Sequence, residues 1–150
     1  QIKTSKKLQF IIAGSQPKEA YTQYLKKLSG EKTKIYINPT DKKLSTLYQQ
    51  ADIYMCADRY LHFGLPIFEA AQFGIPTVAL NLGAAQELVQ HKKTGYVAQN
   101  RKEFSYYLQK LIDNKKLRKK LGNNAIQWSK KFSWETCADK WEKVLNKYAK

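Results

Sequence analysis

Cysteine and histidine are scarce in this 150-residue chain, with two of each. Cys56 and Cys137 lack metal-like spacing and two histidines add little, which argues against both a structural metal site and a disulfide framework. Such thiols read as free or buried, in a reducing compartment. No apolar run approaches 18 residues, so no membrane-spanning helix is expected. Residues 1–7 are polar and the apolar run 8–13 is too short for a signal-peptide core, so no leader is expected there. Internal repeats and low-complexity linkers are also missing. Acidic residues are few, 12 against 27 Lys plus Arg, for a formal charge of +15. That balance points to anionic partners: nucleotides, nucleic acid or an anionic membrane surface. Nucleic acid is the least favoured, because the ten tyrosines do not interleave with the lysines in an RNA-binding pattern. The densest basic run, residues 114–120, reads first as a solvated helix face and next as a membrane-surface patch.

Hydrophobic residues make up 43% of the chain, enough for one globular domain with a proper core. Residues 8–13 form an apolar strand stopped by Gly14, and Pro17 starts a helix to about Leu28 that Gly30 ends. A second strand, 34–37, is broken by Asn38-Pro39. Thr40 or Asp41 then caps a helix on which Leu44, Leu47 and Tyr48 share a face. Strands are expected at 53–56 and 76–80, a short helix at 84–90, and a last strand at Tyr96-Val97. From Arg101 only helices follow: to about Asp113, over 115–131, and from Ser133, a plausible N-cap, to Tyr148. Alternating strands and helices predict an α/β fold: a Rossmann-like parallel sheet flanked by helices, with a helical C-terminal extension. Ligands of such sheets sit beyond the carboxyl ends of the strands, which singles out the loops after Ala13, Ile37, Cys56 and Leu80.

Residues 63–80 form the centre of the pattern. Gly64 suits a tight turn, Pro66 the first helical position, and Gly74 a left-handed helix end. Ile67, Phe68, Ala70, Ala71 and Phe73 make that short helix apolar nearly all round, hence buried. The N–H groups around Gly64, Leu65 and Ile67 lack helical acceptors and suit a phosphate oxygen. Glu69, the helix's single charge, either accepts from vicinal hydroxyls such as a ribose's or is dipole-stabilised on local backbone. His62 is a candidate general acid or base, with a plain surface role as the alternative. Asp58 and Arg59 either pair with each other or meet a ligand.

Several segments together resemble the donor-binding half of GT-B glycosyltransferases, specifically the retaining family 4 (group 1). They are residues 47–53, 63–70 and 74–79, then Gly83 with Glu87-Leu88-Val89, and Thr94-Gly95-Tyr96. Residues 8–14 and Phe132-Ser133-Trp134-Glu135 fit as well, so the likeness spans nearly the whole chain. The resemblance implies a nucleoside diphosphate sugar (UDP-, GDP- or ADP-linked) as donor substrate, with no cofactor and no metal. It sets the pyrophosphate at Phe63, Gly64, Leu65 and Ile67, and Glu69 on the ribose as the second acid of an E-x7-E pair. Ile37 and Asn38 would border the base, and Gly14 would line the donor cleft. It implies a cytoplasmic enzyme that transfers a sugar with retention to a glycan, lipid or protein, its basic helices suited to an anionic inner leaflet.

Three departures qualify that expectation. Leu61 stands where the first acid would fall, with Asp58 and His62 as nearby stand-ins for a catalytic role otherwise unassigned. Ala57-Asp58 replaces a proline-serine pair. Residue 1 falls after the family's first strand, its glycine-arginine loop and a lysine, and the N-terminal acceptor domain is absent. The chain is therefore expected to be one nucleotide-sugar-binding domain of a longer protein and inactive alone. The alternative is a non-catalytic glycosyltransferase-like binding or partner module, with Leu61 as its lesion.

Overall fold

The computed structural model describes residues 2–15, 19–29, 32–60 and 62–149. The expected helix start at Pro17, its stop at Gly30, and Leu61 lie outside these residues. Two compact units result, one of Lys3–Gln50 and one built mainly from Ala51–Lys150.

The smaller unit contains β1 (Phe10–Gly14), α1 (Glu19–Ser29), β2 (Thr33–Ile37) and α2 (Asp41–Gln50). β1 and β2 pair in parallel, from Phe10 opposite Thr33 to Gly14 opposite Ile37. Thr40 is the cap of α2: its Oγ1 accepts the Lys43 N–H at 3.3 Å, and its carbonyl accepts the Leu44 N–H at 2.8 Å. Leu47 is buried beneath this helix, as its spacing predicts.

The larger unit runs β3 (Tyr54–Cys56), α3 (Leu65–Gln72), β4 (Thr77–Leu80), α4 (Ala85–Leu88) and β5 (Gly95–Ala98). It continues with α5 (Arg101–Asp113), α6 (Lys115–Ser129), a 3-10 turn (Lys130–Phe132) and α7 (Trp134–Tyr148). Its sheet has the order β3-β4-β5, all parallel. Strand alternation divides the core between two faces. Ala79 and Val97 join Ile67 and Phe68 of α3 and Ala85 and Leu88 of α4. Val78 and Tyr96 join Leu108 and Leu111 of α5 and Leu121 of α6. Helices on both faces explain why β5 is buried at every residue and reads as a continuous apolar run.

Local signals set most boundaries. Asn100, Asn114 and Ser133 cap α5, α6 and α7, accepting from the N–H of Glu103, Leu117 and Thr136 respectively. The helix expected over 115–131 instead tightens into the 3-10 turn after Ser129. The helix expected over 84–90 is cut to Ala85–Leu88 because Val89 is already extended, at φ −114° and ψ 110°. Phe73 is a further correction: it lies just past the end of α3 and is 40% exposed rather than buried. Among the described residues, no helix is long and apolar enough to cross a membrane.

Candidate functional site

β3 delivers the chain to the loop that precedes α3. Asp58 Oδ1 accepts the Tyr60 N–H at 2.8 Å, a local turn that occupies one carboxylate oxygen. His62 is exposed, and Phe63 is 54% exposed with its ring 5.7 Å from that of Phe68. Gly64 then adopts the left-handed conformation (φ 67°, ψ 46°) and caps α3, which begins at Leu65. A side chain would strain this backbone, so the conformation favours glycine here.

The turn narrows the expected set of free donors. Ile67 donates its N–H to the Gly64 carbonyl at 2.9 Å, so it is engaged by the protein and not available as read from sequence. Pro66 is the second helical residue, one later than expected, and has no N–H to offer. The N–H groups of Gly64 and Leu65 find no acceptor among the described residues. These two backbone donors lie at the positive end of α3, where helix geometry favours negative charge.

Glu69 is the fifth residue of α3, beyond its first turn, and half-buried. That position is past the first turn, where the pull of the helix dipole is strongest. Its neighbourhood is acidic. The Tyr54 phenol is pushed up to about 12, first by burial and then by the charge of Cys56 (once its thiol has ionised at high pH), Glu69 and Asp58. Burial likewise raises the Cys56 thiol; the Asp58 charge adds to this, while a hydrogen bond from the Asp58 backbone opposes it. A buried thiol held protonated is a packing residue and no nucleophile. Among the described residues, no group of three His, Cys, Asp or Glu side chains is arranged to hold a metal ion.

The smaller unit brings its three expected residues together. Gly14 and Ile37 are register partners at the carboxyl ends of β1 and β2, and the Asn38 N–H donates to the Gly14 carbonyl at 2.8 Å. Asn38 turns the chain with a positive φ of 47°. Among the described residues, a Cβ at Gly14 would meet nothing within 4 Å.

Sequence reasoning missed two features of the larger unit. At the carboxyl ends of β4 and β5, Gln86 donates to Asn81 and Asn81 to Gln99, both at 2.8 Å, which ties the loop after Leu80, expected to border a ligand, to the segment that follows β5. Two amide side chains just past strand ends, Asn81 and Gln99, with a third in α4, were the available signal. Tyr54 was also overlooked as a neighbour of Glu69, although alternation along β3 sets it on the same face as Cys56.

Residues 1–128 match the model of the family described as glycosyl transferases group 1. A probable sucrose-phosphate synthase of Thermosipho melanesiensis is 27% identical over 148 residues, covering 93% of this chain and 34% of the relative. An uncharacterized glycosyltransferase of Methanocaldococcus jannaschii is 30% identical over 97 residues, covering 63% and 28%. The chain thus spans about a third of the length of the curated relatives it matches. In structure it is similar to Anabaena Alr3699/HepE in complex with UDP, with a TM-score of 0.76 at 21% identity over 93% of this chain and 41% of that one.

Proposed function

The chain belongs to the group 1 glycosyl transferases, and we propose that it is the donor-binding part of a longer, retaining family 4 enzyme. That enzyme takes a sugar from a nucleoside diphosphate sugar and passes it to a glycan, lipid or protein acceptor held by an N-terminal domain. The observation that carries this reading is the start of α3, where a left-handed Gly64 presents two N–H groups with no acceptor among the described residues. Those donors and the helix dipole suit the diphosphate, whose charge grows as the glycosidic bond breaks. Glu69 serves the ribose hydroxyls, Gly14 lines the donor cleft, and Ile37 and Asn38 border the base. UDP, present in the HepE complex, is the first nucleotide to try. The protein acts in the cytoplasm, and its charge of +15 suits contact with an anionic inner leaflet.

Leu61 favours a second reading, a non-catalytic module, because leucine cannot hydrogen-bond a donor sugar where the family pattern has an acid. Calorimetric titration with UDP-, GDP- and ADP-sugars separates the two. Saturable binding of one nucleotide is expected, weakened by roughly 1.5–3 kcal/mol in Glu69→Ala. Silence across the panel from a folded sample would overturn the donor-binding reading in favour of the module.

A further inference from the structure

Four aromatic rings of the larger unit form a continuous ladder. Phe63, in the loop before α3, lies 5.7 Å from Phe68 of α3 between ring centroids. Phe68 lies 4.3 Å from Phe132, the last residue of the 3-10 turn, and Phe132 lies 5.1 Å from Trp128 of α6. The far end is fixed, because Trp128 Nε1–H donates to the Leu88 carbonyl at 2.9 Å. Phe68 is buried in the core, whereas Phe63 is 54% exposed and sits next to Gly64, the most freely rotating residue of the loop.

We infer that Phe132 is a positioning residue: through Phe68 it braces Phe63 and so orders the Gly64–Leu65 donor pair. The inference rests on the donor-binding reading for its purpose, although the bracing itself needs no ligand. Aromatic contacts of this geometry contribute modestly beyond buried area, so losing one weakens the order of the loop without removing the fold. Lys131 lies 5.2 Å from the Trp128 ring centroid, which further ties the 3-10 turn to this end of the ladder.

The test uses backbone 15N order parameters of the ligand-free protein, comparing wild type with Phe132→Leu and Phe132→Tyr. In Phe132→Leu, order should fall at His62, Phe63, Gly64 and Leu65 while β4 and β5 keep wild-type values; Phe132→Tyr, which keeps the ring, should restore the loop. Unchanged order at these four residues in a folded Phe132→Leu would overturn the inference. So would an equal loss across β4 and β5, which marks an ordinary packing residue. If Phe132→Leu itself fails to fold, Phe63→Leu breaks the ladder at its exposed end and should loosen Gly64 and Leu65 in the same way. UDP is then added, and Phe132→Leu should bind it roughly 3- to 10-fold more weakly than wild type or Phe132→Tyr. Wild-type protein that shows the ordered loop but binds no nucleotide would sustain the bracing and overturn the donor-binding reading instead.

Discussion

Gly122→Ala sets two physical effects of opposite sign against each other. Gly122 lies inside α6, where alanine is worth about 1 kcal/mol over glycine on helix propensity alone. It is also buried, with its backbone against Gly74 at the end of α3. A Cβ at Gly122 would overlap the Gly74 carbonyl oxygen and lie 2.7 Å from the carbonyl carbon, against an ordinary contact of 3.4 Å or more. Neither side of that contact is a flexible side chain. Gly74 is left-handed at φ 72° and donates to the Ala71 carbonyl at 2.9 Å, and Ile75 donates to the Ala70 carbonyl at 3.0 Å. The helices must part, at an overpacking cost near the upper end of 1–3 kcal/mol, so the net loss is about 2 kcal/mol. For a protein of this size the melting temperature should drop by roughly 4–8 °C, measured by calorimetry or circular dichroism. A melting temperature equal to or above wild type would refute the reasoning, because propensity would then have won.

Gly14→Ala is the complementary case: a Cβ there would meet nothing within 4 Å among the described residues, and the melting temperature should stay unchanged. If Gly14 lines the donor cleft, nucleotide affinity should fall in that stable variant; unchanged affinity would remove Gly14 from the site. Arg118 donates to the carbonyls of Leu111 and Ile112 at 2.7 and 3.1 Å and to Asp52 at 3.0 Å. Arg118→Ala should therefore cost roughly 1.5–3 kcal/mol in urea unfolding. Asp52→Asn should cost only a few tenths, since that carboxylate is 74% exposed; equal losses would contradict this division. Folding holds the Tyr54 proton to about 12 while an unfolded phenol ionises near 10, so this contribution is full below pH ~10 and is lost as pH rises to ~12. Its size is about 2–3 kcal/mol. Tyr54→Phe should flatten the alkaline fall in melting temperature, and an unaltered slope would count against the buried phenol.

Sequence periodicity anticipated what depends on neighbours along the chain. Val78 and Ala79 point to opposite helical layers because successive strand residues must. Ser133 starts α7 because its hydroxyl accepts the Thr136 N–H, a local bond visible in the spelling of the segment. The larger misses concern through-space contacts or detailed turn geometry. Nothing beside Phe132 in sequence shows that its ring meets Phe68, 64 positions earlier. Likewise, the charge on Glu69 was legible but the phenol of Tyr54 beside it was not. That Ile67 turns its N–H to the Gly64 carbonyl depends on the dihedrals of Leu65 and Pro66 between them, and that Gly64 is left-handed is a geometry that a glycine permits without dictating.

This division bears on how Glu69 should be read. From sequence, a carboxylate near a helix start invites the dipole explanation as readily as a ligand. Once Leu65 is the first residue of α3, Glu69 falls in the second turn, where backbone N–H groups bond to the helix's own carbonyls. The dipole explanation weakens there, because the effect fades beyond the first turn. What supports the ribose role is thus a placement and not a charge: a half-buried carboxylate one turn behind two N–H donors on the same helix. A diphosphate on those donors would leave its adjoining sugar hydroxyls within the span of that single turn, about 5 Å along the axis. On this argument Glu69→Gln, which keeps an acceptor, should retain more nucleotide affinity than Glu69→Ala in the same titration. Equal losses would show that charge matters and hydroxyl recognition does not.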